Sequence, residues 1–74
     1  AKPGPAVYAA AAAAFGVEAH ECVFVDDRAE NVQAALKAGM HAEQFRDTSA
    51  CGAFIDAALR GDTRPGQPWT TPTR

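Results

Sequence analysis

Long apolar runs are what this chain most clearly lacks. No segment of its 74 residues approaches the roughly 20 consecutive apolar positions that a membrane-spanning helix requires. A charged start followed by an apolar signal segment is missing as well, and the chain reads as cytoplasmic. Basic clusters are absent too. Seven Lys and Arg stand against nine Asp and Glu, a net charge of −2, and no basic run is present to neutralise a phosphate backbone, so nucleic acid is not an expected partner. Cysteine is scarce: Cys22 and Cys51 have no metal-ligand spacing and read as reduced thiols rather than as a staple. His20 and His41 lack the His/Cys/carboxylate spacing of a zinc site, which leaves His20 as a loop residue and His41 as a surface residue of a strand. Length is also short. A chain of this size forms at most one domain, buries only about 60 to 65 per cent of its unfolded surface and is marginal alone.

What the sequence does have is an acidic pair in a telling place. Asp26 and Asp27 follow directly on the apolar run Cys22-Val23-Phe24-Val25, which reads as a strand buried on both faces of a parallel sheet. Ligands of open α/β sheets bind outside the carboxyl ends of the strands, where this pair would lie. Adjacent carboxylates repel and are costly to desolvate, so such a pair suits a divalent cation or a lysine. The competing reading is local: acidic residues ahead of a first helical turn are common N-terminal caps.

Around that pair, helix and strand alternate. Pro5 suits a first helical position, Val7, Tyr8, Ala11, Ala12 and Phe15 recur at helical spacing, and Gly16 ends the segment. Tyr8 and Phe15 flank six alanines, Ala9 to Ala14, and favour a packed helix over a low-complexity spacer. Val17 to Glu21 is a short connection, and a second helix runs from about Ala29 to Ala38 with Val32, Ala35 and Leu36 inward and Gly39 closing it. Met40 to Phe45 is a weaker strand nearer the sheet's edge. Asp47 or Thr48 caps a third helix carrying Phe54, Ile55, Ala58 and Leu59 and stopping at Gly61. Residues 62–74, with Pro65, Pro68 and Pro72, hold too little apolar area to offset ordering entropy and read as a disordered tail in which Trp69 is the one candidate anchor, more often uncommitted than docked. The expected fold is α/β, a fragment of a Rossmann-like parallel sheet in the order α-β-α-β-α, over residues 1–61.

The segment Lys2-Pro3-x-Pro5-x-x-Tyr8, then Phe15-Gly16-Val17, then Cys22-Val23-Phe24-Val25-Asp26-Asp27-x-x-x-Asn31-Val32 and Ala38-Gly39-Met40 resembles the C-terminal part of the core domain of haloacid dehalogenase-like hydrolases, in particular the epoxide-hydrolase-like and sugar-phosphatase-like branch. The resemblance covers about Lys2 to Leu59. It implies that Lys2 steadies the phosphoryl group and the nucleophile's charge, that Asp27 reaches a magnesium ion, and that Asp26 supports the lysine and the loop. It also places Asn31 one helical turn after Asp27, pointing back at the same site. Arg28 is a supporting candidate that would contact an anionic substrate, although a solvated first-turn arginine suits the residue equally.

The family's nucleophile is the first aspartate of a D-x-D motif, and the chain contains no D-x-D. That nucleophile, the hydroxyl motif and the specificity cap would all precede Ala1, so the chain by itself is expected to be inactive. The resemblance implies a magnesium-dependent phosphatase of small phosphorylated metabolites, working through an aspartyl-phosphate once the missing N-terminal half of the domain is supplied. Two alternatives stand beside it. One is a non-catalytic α/β fragment that docks on a chain providing the missing strands; the other is a dehalogenase-type hydrolase.

Overall fold

The structure, a computed structural model, describes residues 4–70. Helix α1 spans Pro5–Ala14, with proline at a first-turn position whose N–H would have no helical partner in any case. It closes at Phe15, whose N–H reaches back to the Ala11 and Ala12 carbonyls. A single 3-10 turn, Ala19–Glu21, leads into strand β1, Val23–Asp26. Helix α2, Ala29–Lys37, returns the chain to strand β2, His41–Gln44, and α3 covers Thr48–Leu59. The α-β-α-β-α order is the one expected.

β1 and β2 pair in parallel, with Val23 opposite His41 and Asp26 opposite Gln44, so α2 is the crossover that a parallel pair requires. Its sharp end is built by Gly39 at φ 95°, a conformation costly for any residue with a Cβ. The Gly39 N–H bonds to the Leu36 carbonyl and the Met40 N–H to the Ala35 carbonyl, closing the last turn before β2 begins. Val32, Ala35 and Leu36 face inward as their spacing predicts, and with Ala12, Met40 and Ala42 they form the core. Side chains alternate along a strand, so Phe24 and Ala42 share the face toward α1 and α2. The Phe24 ring meets Tyr8 edge-on at 5.0 Å, which fastens α1 to the sheet.

Several expectations need correcting. Cys22 lies just before β1, and the strand is not buried on both faces: Val23, on the face away from the core, is 46% exposed. Full burial needs helices on both faces and strands on both edges, and among the described residues the sheet has two strands. On α1 the packed residues are Ala12 and, in part, Tyr8, whereas Phe15 is 84% exposed. Ala12 makes the contribution of α1 to the core, and Phe15 stands at the C-cap beyond the last helical residue. On α3 the buried residues are Phe54 and Ala57, and Leu59 is exposed. Asp47 is the cap, accepting from the Ala50 N–H at 2.8 Å.

Residues 62–70 lie against the fold despite their proline-rich composition. The Asp62 N–H bonds to the Ala57 carbonyl and the Gly66 N–H to the Met40 carbonyl, both at 2.8 Å. Thr63 is buried, and Trp69 is not uncommitted: it packs on Phe54 with ring centroids 5.6 Å apart. His41 is not a bare surface residue either. Its Nε2 donates to the His20 carbonyl, so in the neutral ring Nδ1 accepts from the Thr63 hydroxyl. One imidazole thereby joins the 3-10 turn, β2 and the C-terminal stretch. Two aromatic rings and one imidazole supply contacts that bulk composition does not register. Among the described residues no helix is long and apolar enough to cross a membrane.

Candidate functional site

Asp26 is the last residue of β1, and the turn that follows it is held by side chains rather than by sheet or helix. Its Oδ1 accepts the Arg28 N–H at 2.9 Å and its Oδ2 accepts Asn31 Nδ2 at 3.0 Å. The first bond is an Asx turn, an aspartate fixing the backbone two residues on. The second comes from the first turn of α2, so helix and strand end are tied through a single carboxylate. Both bonds favour the ionised form. The Arg28 N–H, and after it the Asn31 amide, hold the Asp26 carboxyl below its ordinary value of 3.8.

Asp27 is placed differently. It is exposed, its carboxyl lies within hydrogen-bonding reach of the Asp26 carboxylate, and its backbone carbonyl accepts Gln44 Nε2 at 2.9 Å. The acidic pair is thus divided: Asp26 is committed to the loop and Asp27 is the carboxylate available for an external partner. The local alternative describes Asp26 in part, since it satisfies the Arg28 N–H just ahead of the first turn, although Arg28 is the N-cap of α2 and makes no side-chain cap bond. Arg28 is exposed at the same turn and contributes its N–H to Asp26.

The structure brings Asp26, Asp27, Arg28 and Asn31 together at the carboxyl end of β1. Asn31 reaches Asp26, not Asp27, and so positions the turn. Lys2 lies outside the described residues. Gln44 is the residue that the sequence alone did not single out: nothing marks it until the register sets it opposite Asp26. The neighbouring cleft of about 320 Å³ beside α2 is lined by Val32, Gln44, Arg46 and Trp69 and by neither aspartate.

For magnesium, the donor set fits in kind: one exposed carboxylate supplies hard oxygen, and the ion characteristically takes one or two carboxylates and keeps several waters. It does not by itself enclose an ion. Among the described residues no three His, Cys, Asp or Glu side chains converge on a common point.

Asn31 gives a direct check on this electrostatic picture. Asp26 has a folded pKa below its unfolded one, so its stabilisation is present above 3.8 and is lost as pH falls through the folded value. Asn31→Ala should move the Asp26 carboxyl back up toward 3.8 in a carbon-detected NMR titration. The difference in melting temperature between wild type and variant should then be largest near neutrality and shrink below pH 3.8. A gap that stayed constant with pH would mean the amide does not act on the ionised carboxylate.

Comparison with known proteins gives the same direction. The family described as haloacid dehalogenase-like hydrolase matches residues 1–39, more than half of the chain. Phosphatase MT3486 of Mycobacterium tuberculosis (strain CDC 1551 / Oshkosh) is 41% identical over 69 residues, which cover 78% of this chain and 32% of that protein. The chain therefore spans about a third of the length of the curated relative it matches. No solved structure matches it. With the acidic turn at the carboxyl end of β1 and more than half of its length matched, the chain belongs to the haloacid dehalogenase-like hydrolase family.

Proposed function

We propose that this chain is the magnesium- and lysine-bearing portion of a phosphatase acting on small phosphorylated metabolites, in the epoxide-hydrolase-like and sugar-phosphatase-like branch of its family. The observation that carries the reading is the division of labour in the acidic turn: Asp26 is consumed by Arg28 and Asn31, and Asp27 is left exposed at the carboxyl end of the sheet. A relative named as a phosphatase supports phosphate over halide as the leaving chemistry.

In this reading Asp27 would hold magnesium, and Asp26 and Asn31 keep the turn that presents it. When bound, the ion would offset negative charge on the phosphoryl oxygens. Lys2 would bring an ammonium to the same oxygens and to the nucleophile. The nucleophile is an aspartate outside this chain. Its oxygen bonds to phosphorus as the ester oxygen leaves with a proton, and water then attacks the aspartyl-phosphate to release inorganic phosphate. β1 pairs on one edge among the described residues, and a strand laid against its other edge would bring such an aspartate beside Asp27.

An aryl-phosphate assay separates this from the docking-fragment reading. The 74-residue chain should release no phosphate above background with or without magnesium. A polypeptide that joins it to the part of a domain that supplies the D-x-D motif should turn over only with magnesium. Turnover by the 74-residue chain that disappears in Asp27→Ala would show that its site is complete without a D-x-D. A joined polypeptide that folds but stays inactive would favour the non-catalytic alternative.

A further inference from the structure

Gln44 ends β2 and Asp27 lies one residue past β1, and in the parallel register the two strand ends stop side by side. The bond between them has one possible polarity. A backbone carbonyl only accepts, so the Gln44 amide must present Nε2, not Oε1, to the Asp27 oxygen at 2.9 Å. On the other side of the same turn, the Arg28 N–H is held by Asp26 Oδ1 at 2.9 Å. The carbonyl and the N–H of one peptide unit, Asp27–Arg28, are thus each fixed by a different side chain. A planar peptide held at both of its polar groups is restrained about the flanking bonds, and its orientation sets the direction of the Asp27 Cα–Cβ bond.

We infer that Gln44 is a positioning residue for Asp27, restraining the Asp27–Arg28 peptide so that the Asp27 Cα–Cβ bond points toward the place where its carboxylate meets a divalent cation. This rests on the reading of Asp27 as the magnesium ligand. Asp26, itself held by Asn31, restrains the N–H side of that peptide; without Gln44 the carbonyl side is released to solvent and the Asp27 Cα–Cβ bond ranges over a wider arc. The bond is a surface one, so its loss costs little global stability and acts on the preorganisation of the ligand.

The test is an NMR titration of the isotopically labelled 74-residue chain with magnesium chloride, following the Asp27 and Arg28 amides. Wild type should show a weak, saturable shift, and Asp27→Asn should abolish it. Gln44→Met keeps the length of the side chain and removes the donor; it should weaken binding about fivefold while leaving the melting temperature close to wild type. Gln44→Asn, one methylene too short to reach, should do the same. If Asp27→Asn abolishes binding but both Gln44 variants bind like wild type, the inference on Gln44 fails and the reading of Asp27 stands. If wild type shows no magnesium-dependent shift, or Asp27→Asn keeps it, the reading of Asp27 fails and takes the inference with it.

Discussion

Phe54→Ala should leave this chain unfolded or nearly so at 25 °C. Phe54 is 1% exposed and is the largest side chain so completely enclosed, and removing a buried phenyl ring costs about 3–5 kcal/mol. A chain of 74 residues has little more than that to lose, since a small single core supplies about 3–5 kcal/mol in total. The loss would spread, because Trp69 packs on the same ring. Removing Phe54 takes away both the core of α3 and the surface on which the last described residues rest. Circular dichroism should lose its cooperative melt, and Trp69 fluorescence should shift to the red at the same time. Leu59→Ala, five positions on in the same helix and 80% exposed, should change stability by no more than about 0.5 kcal/mol. A Phe54→Ala melt within a few degrees of wild type would mean that α3 adds little to the fold.

That contrast also marks where the sequence is legible. The periodic positions of α2, Val32, Ala35 and Leu36, are read directly because that helix packs against both strands and most of one side is covered. α1 and α3 pack less, and in each the apolar spacing points to more buried residues than the fold covers: Phe15 and Leu59 match the helical period and remain exposed. Periodicity states which residues share a face, not how much of that face a neighbour covers. The Phe54–Trp69 contact spans fifteen residues of chain and the His41–Thr63 contact twenty-two, and no local pattern announces either. Composition treats residues 62–70 as unable to bury area, whereas the Trp69 and Thr63 contacts and two backbone hydrogen bonds seat them.

The acidic turn shows the same division. Asp26, Asp27 and Asn31 are visible because their spacing follows one strand end and one helical turn, both local. Which aspartate serves the loop and which faces outward is not visible, since it depends on Asn31 choosing Asp26 and on Gln44 arriving from another strand. Two adjacent residues of one type acquire different roles from hydrogen bonds that only the folded chain supplies.

Asp27→Asn and Lys2→Ala should therefore separate metal binding from turnover when the chain is joined to the part of the domain that supplies the nucleophile. Asp27 offers an exposed carboxylate, and an amide in its place keeps the shape but removes the charge that a hard cation needs. Metal affinity and turnover should fall together, turnover by about 100- to 1,000-fold, the range expected when several kcal/mol of metal-derived charge stabilisation is lost. Added magnesium should recover part of it. In the proposed reading Lys2→Ala would remove a positive charge that competes with the metal, and the sign for the metal is opposite: two like charges repel, so magnesium should bind unchanged or slightly tighter. Turnover should still fall about 100-fold, because in the proposed reading the ammonium acts on charge that develops at the phosphoryl oxygens, and extra magnesium should not restore it. Calorimetry for the metal and phosphate release for turnover read the two effects separately. Equal losses of metal affinity in both variants would show that Lys2 serves the metal site's structure instead of the phosphoryl group.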